Sequence, residues 1–269
     1  MNFLKKAIIG AATALALASS AHASLQNVGG VVWDPDYNAV VEQDFISQFN
    51  FTQWFTGSAT PANTLDFGGA VGINSVLASL NGSHTGSGYF LQGAGLIYRV
   101  NDTALNIAGG LGGGSTFCPG CQLTYAFGGI ALNKDSTFDL TNAWAKIYVD
   151  SSTVATTPVS GQTVANNYTD GQVWLDLNIS SLAFRSGATV AGGFVDAVFQ
   201  ITGGLAADVF DPKVLTYAGS TQFLSPTSQY STGGNGSVLG NSIPEPGSMA
   251  LVGLGLLAAG ALRRRKAAK

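Results

Sequence analysis

Gln172-Val173-Trp174-Leu175-Asp176-Leu177-Asn178-Ile179 alternates two kinds of side chain. Val173, Leu175, Leu177 and Ile179 share one face, and Trp174, Asp176 and Asn178 share the other. A period of two over this length is the mark of a strand with one face in a core and one face mostly wet. Phe194 to Ile201 repeats the pattern, with Val195, Ala197, Phe199 and Ile201 opposite Asp196 and Gln200. Ala143 to Asp150 does so again, with Ala145, Ile147 and Val149 opposite Lys146 and Asp150. Further strands are expected over Gly88 to Val100, Gln122 to Leu132 and Leu205 to Phe210. Val40 to Phe55 fits either period: Val41, Phe45 and Phe49 recur at helical spacing, whereas Phe49, Phe51 and Phe55 suit a strand, and its second half is read as strand.

Composition agrees with β structure. The chain has 269 residues, 36 of them glycine, and only 10% are charged; about 7% glycine and about 25% charged residues are usual. Such a glycine excess favours a turn-rich β protein over helical bundles. No fixed-period repeat is evident, which argues against a solenoid or propeller. The expectation is all-β: a single antiparallel β-sandwich or jelly-roll-like domain over residues 24–224. Residues 225–242 carry no charge and are rich in Ser, Gly, Thr and Asn. They read as a flexible linker with an r.m.s. span of about 23 Å.

The two ends read as addresses. Residues 1–23 place Lys5-Lys6 before an apolar run and end in Ala21-His22-Ala23, a signal-peptidase site of the A-x-A type, so the chain is expected to be exported. At the other end, Pro244-Glu245-Pro246 precedes an apolar run and then Arg263-Arg264-Arg265-Lys266. Residues 246–262 are at the short limit for a membrane-spanning helix, and the basic tail 263–269 resists translocation and stays cytoplasmic. A plain C-terminal membrane anchor fits the same hydropathy. Between the ends, Arg99, Lys134, Lys146, Arg185 and Lys213 face 14 of the chain's 15 acidic residues. This acidic body excludes nucleic acid and anionic lipid as partners, since nothing would neutralise their phosphates.

The ordered set of Pro-Glu-Pro triplet, short apolar helix and Arg-rich end resembles the PEP-CTERM sorting signal over residues 243–269. The resemblance implies that Pro244, Glu245 and Pro246 are recognition residues for a membrane-embedded exosortase. The helix would then be a transient inner-membrane handle in a Gram-negative bacterium, and the product would reach the cell surface or extracellular matrix. Through Phe117-Cys118-Pro119-Gly120-Cys121-Gln122-Leu123-Thr124-Tyr125-Ala126-Phe127-Gly128-Gly129, the body is also similar to flocculation-associated PEP-CTERM proteins. That similarity implies association with exopolysaccharide and a role in flocculation or biofilm formation.

Candidate chemistry is sparse, and neither a cofactor, a metal site nor a catalytic residue is expected. Cys118 and Cys121 are the only cysteines, and export favours a disulfide between them. A thioredoxin-like pair would need a helix after the motif, where Gln122 to Phe127 alternates like a strand. His84 is the only histidine outside the signal peptide, sits among turn formers and lacks a G-x-S-x-G elbow. Paired acids (Asp34 with Asp36, Asp208 with Asp211) are the remaining route to a glycan-active hydrolase. Together with Asn133 and Asp135 they also offer oxygen ligands for calcium, but no EF-hand spacing is present. Gly109 to Gly114 lacks a P-loop lysine and reads as a loop. Trp33, Trp54, Trp144 and Trp174 could serve a carbohydrate-binding module as stacking platforms, or pack in the core. The expectation is a non-enzymatic surface protein, with a glycan-active hydrolase or a carbohydrate-binding module as the alternative.

Overall fold

The computed structural model describes residues 25–37, 43–58, 64–80, 86–104, 117–152, 168–189, 192–223, 225 and 228–243. A hairpin opens this part of the chain, β1 (Gln26–Val28) pairing with β2 (Val31–Trp33). Eight long strands follow: β3 (Phe45–Thr56), β4 (Gly86–Val100), β6 (Gln122–Asn133), β8 (Trp144–Asp150), β9 (Gln172–Phe184), β10 (Gly193–Gly203), β11 (Val214–Thr221) and β12 (Tyr230–Gly240). Two-residue strands β5 (Thr103–Ala104) and β7 (Phe138–Asp139) pair with the ends of β4 and β6, and a short helix, α1 (Ile73–Leu80), lies between β3 and β4.

Each long strand pairs antiparallel with the next in sequence, and β12 returns to pair with β3. The sheet is therefore a closed eight-stranded up-and-down barrel. The single all-β domain is as expected, but its architecture is neither a sandwich nor a jelly roll. The residues read as a linker are the reason. Strand β12 occupies 230–240 of the expected linker 225–242 and joins β11 on one side to β3 on the other; without it the sheet would keep two open edges.

Glycine hides this strand from a hydrophobicity reading. On β12, a Cβ at Gly234 would lie 2.2 Å from the Phe51 ring, and one at Gly236 would lie 2.2 Å from the Tyr217 ring. On β4, a Cβ at Gly95 would lie 1.9 Å from the Asn50 carbonyl oxygen. The apolar side chains come from the neighbouring strands, and the glycines make room for them. An eight-stranded barrel has an interior just wide enough to be filled by side chains or to hold one small ligand.

Two bulges adjust which residues point inward. Between β8 and β9 the register shifts from Ile147↔Leu175 to Tyr148↔Val173, so Trp174 is the extra residue. Trp174 turns into the core with no exposed surface, and Val173 packs outside with Trp144, Tyr148 and Tyr168. Simple alternation had placed these two residues the other way round. On β6, Gly129 takes φ +69°, and a Cβ there would lie 2.1 Å from the Asn142 carbonyl oxygen. This kink lets both Phe127 and Ile130 face inward.

The base of the barrel, where β3 begins, is plugged by aromatic rings. Trp33 from the hairpin meets Phe45 at 5.7 Å and Trp174 at 5.7 Å, and it stacks on Phe210 at 6.2 Å. Leu205–Phe210, expected as a strand, instead forms a 3₁₀ turn at Ala207–Val209. Ala206 and Phe210 are both buried there against the base. At the opposite rim, α1 buries Val76, and Phe138, Phe184 and Phe223 form a triangle with ring separations of 5.1 to 5.6 Å.

Candidate functional site

The point where the chain leaves the barrel is built as tightly as the core. Ser242 is buried and forms an isolated bridge with Phe210. Its backbone N–H and hydroxyl both donate to Asp44 Oδ1, at 2.5 and 3.1 Å, and Trp33 Nε1 donates to its Oγ at 3.1 Å. Ile243 donates its N–H to the Val209 carbonyl at 2.8 Å and accepts from Gln26 Nε2 at 2.9 Å. The N-terminal hairpin, the start of β3 and the 3₁₀ turn together fix the residue just before Pro244. Burial holds the Asp44 carboxyl above its ordinary value, against the lowering effect of the Ser242 hydrogen bonds.

Several sequence candidates lie outside the described residues: Ala21, Ala23, His84, Gly109 to Gly114, Pro244, Glu245, Pro246, Arg263, Arg264 and Arg265, and with them the expected spanning helix 246–262. Among the described residues no helix is long and apolar enough to cross a membrane. Cys118 and Cys121 form the expected disulfide, with Cα atoms 5.1 Å apart, and strand β6 follows at once. The thioredoxin arrangement, which needs a helix there, is thereby excluded.

Three of the acidic candidates, Asp34, Asp135 and Asp208, are occupied locally. Asp34 Oδ1 accepts from the Asp36 N–H at 2.9 Å, which is an Asx turn. Asp135 Oδ1 accepts from the Thr137 N–H, and Asn133 Nδ2 donates to Thr137 Oγ1. Asp208 pairs with Lys213 at 2.8 Å. Among the described residues no three His, Cys, Asp or Glu side chains gather as metal ligands would. All four tryptophans are buried, at 6% exposure or less, so none is a sugar-stacking platform.

Two surfaces escaped the sequence reading. The first is the outer wall of β9 to β12, where Asn178, Ser180, Gln200, Thr202 and Asn235 stand exposed beside half-buried Ser220 and Ser237. The second is the interior, where a void of about 100 Å³ is walled by side chains of all eight strands, Phe49, Phe127, Ile147, Ile179 and Tyr217 among them. The tyrosines here are held above their ordinary pKa by burial, Tyr125 and Tyr217 most strongly, so they stay protonated. The signal for this lining was present in Val214 to Thr221, where Leu215, Tyr217 and Gly219 alternate with Thr216 and Ala218.

A closed antiparallel β-barrel with an apolar interior, a polar outer wall and Ser242 and Ile243 pinned at its base directly before the Pro-Glu-Pro triplet is the class that the fold and site define. Residues 242–266 match the family of the PEP-CTERM protein-sorting motif. The chain thus carries a PEP-CTERM sorting signal, which implies processing by exosortase and export toward the cell envelope or surface of a Gram-negative bacterium. No curated protein and no solved structure matches the chain significantly.

Proposed function

We infer that the processed product is a non-enzymatic cell-surface or extracellular-matrix protein that associates with exopolysaccharide and promotes flocculation or biofilm formation. The observation that supports this reading is the sorting signal, whose resemblance to PEP-CTERM proteins implies the company of exopolysaccharide. The outer wall of β9 to β12 suits the role. Its neutral hydroxyls and amides offer many weak hydrogen bonds to a hydrated polymer, and it contains few charges that would demand a counter-ion. Asp34 is engaged in an Asx turn and Asp208 in an ion pair with Lys213, so each candidate acid pair has one carboxylate already occupied, which supports binding over hydrolysis.

Fractionation in the native host tests the address. With exosortase present, intact mass should show loss of the signal peptide and the C-terminal helix, and the product should be recovered with extracellular polysaccharide. Deleting Pro244 to Pro246 should leave unprocessed protein in the membrane; normal release of that variant would refute the exosortase step. The surface role is read separately. Replacing Asn178, Ser180, Gln200 and Asn235 with glutamate should reduce co-sedimentation with host polysaccharide severalfold while leaving processing unchanged. Undiminished co-sedimentation would move binding to another surface.

A further inference from the structure

The void inside the barrel has a chemistry of its own, independent of the surface role. Protein interiors are packed to the density of organic crystals, and voids larger than a water molecule are few. An apolar cavity of about 150 Å³ stays dry and takes up benzene, and the barrel void, about 100 Å³, is of the same order. Its ends differ: four rings plug the base, whereas the rim carries the Phe138, Phe184 and Phe223 triangle.

One polar group in this wall is unspent. The Tyr217 ring is buried and stacks on Phe49 at 5.4 Å. Its hydroxyl lies over Gly219, on the rim side, 2.1 Å from where a Cβ would stand, and makes no hydrogen bond among the described residues. The neighbouring polar groups are committed. Tyr125 donates its hydroxyl to the Asn50 carbonyl at 3.1 Å, and Gln53 Nε2 donates to the Gln222 carbonyl at 2.8 Å. A lone water would need two to four polar partners, which this wall does not supply. An apolar molecule with a single acceptor atom would satisfy the hydroxyl and fill the void together.

We propose that the barrel interior is a binding site for a small monocyclic aromatic molecule bearing one hydrogen-bond acceptor, which Tyr217 recognises through its hydroxyl. Aromatic rings on the wall favour a flat, polarisable guest that meets them edge to face.

Pyridine and benzene make the test, because they share a shape and differ by one acceptor nitrogen. Titrations at pH 8, where pyridine is neutral, would use the processed protein recovered from its host. Both molecules should bind and raise the melting temperature with concentration. Tyr217→Phe should weaken pyridine about fivefold, the worth of one hydrogen bond, and leave benzene unchanged. Without ligand, this variant should melt no lower than the wild type, since its hydroxyl has no partner to lose. Ala197→Leu, which adds side-chain volume to the cavity wall, should abolish both affinities. The proposal is overturned if neither molecule shifts the melting temperature at millimolar concentration, or if Tyr217→Phe weakens both equally. Should Ala197→Leu fail to fold, the Tyr217→Phe comparison decides alone.

Discussion

Gly95 shows how single atoms set the shape of this barrel. Any side chain there would drive its Cβ into the Asn50 carbonyl, the Phe51 Cα and the Tyr125 hydroxyl, and the first two belong to backbone that cannot swing away. Gly95→Ala should therefore destabilise the barrel by about 2 kcal/mol or more. Gly57→Ala, where nothing lies within 4 Å, should change it little; equal denaturation midpoints for the two variants would contradict the close approach. Asp44 makes a different prediction. Because burial raises its pKa above 3.8, its ionisation is harder in the folded state than in the unfolded one. Its contribution to stability is complete below the unfolded value and is lost as pH rises through the folded one. Asp44→Asn keeps an acceptor for Ser242 but cannot ionise, so its stability relative to wild type should grow from pH 3 to pH 7 in urea titrations. A constant difference would show that Asp44 ionises as freely as in the unfolded chain. The Cys118–Cys121 bridge closes a very short loop, and by chain entropy its removal in a Cys118→Ala/Cys121→Ala double variant should cost about 2 kcal/mol, with no loss of processing.

At the scale of elements, what the sequence made legible depended on where each strand keeps its apolar atoms. Strands β8, β9 and β10 carry their own inward side chains, so period two reveals them and their buried faces. The second half of Val40 to Phe55 resolves to β3 for the same reason. Strand β12 borrows its packing from Phe51 and Tyr217 through glycine, so a scale that scores each residue alone sees a polar, flexible segment. Trp174 escaped because a bulge is a property of two strands in register, not of one. The candidate site was legible only at its outer limits: the triplet by its resemblance to a sorting signal and the disulfide from the lone cysteine pair, whereas the Asp44–Ser242–Trp33 contacts join residues about 200 positions apart. The two readings of residues 230–240 lead to opposite outcomes. Deleting Tyr230 to Gly240 should abolish cooperative unfolding and the tertiary signal of the buried tryptophans; a linker would tolerate the loss. Trp174→Ala, by emptying the base plug, should destabilise by about 3 to 5 kcal/mol, with Trp174→Phe much milder.

Across the whole molecule, charge is distributed unevenly between the two ends of the barrel. Asp34, Asp36, Asp44, Asp102, Asp150, Asp170, Asp208 and Asp211 all belong to the hairpin, turns or strand ends at the base, with Arg99 and Lys213 as the nearby bases. Ser242 and Ile243, the last described residues before the triplet, lie at this same acidic end, where an anionic surface would face like charge. The released barrel should therefore fail to co-sediment with phosphatidylglycerol vesicles even at low salt, and binding there would contradict the charge argument. The closing role of β12 also has a consequence in time. Its partner β3 lies some 190 residues earlier, as in the Ser47 hydroxyl bonded to the Val238 carbonyl, and contacts that distant form late because a long loop must be closed first. In chain order β3 comes early, and β12 comes only shortly before the sorting triplet. The seam is thus sealed last, and a protease acting upstream of Tyr230 would release a sheet that can never become a cylinder.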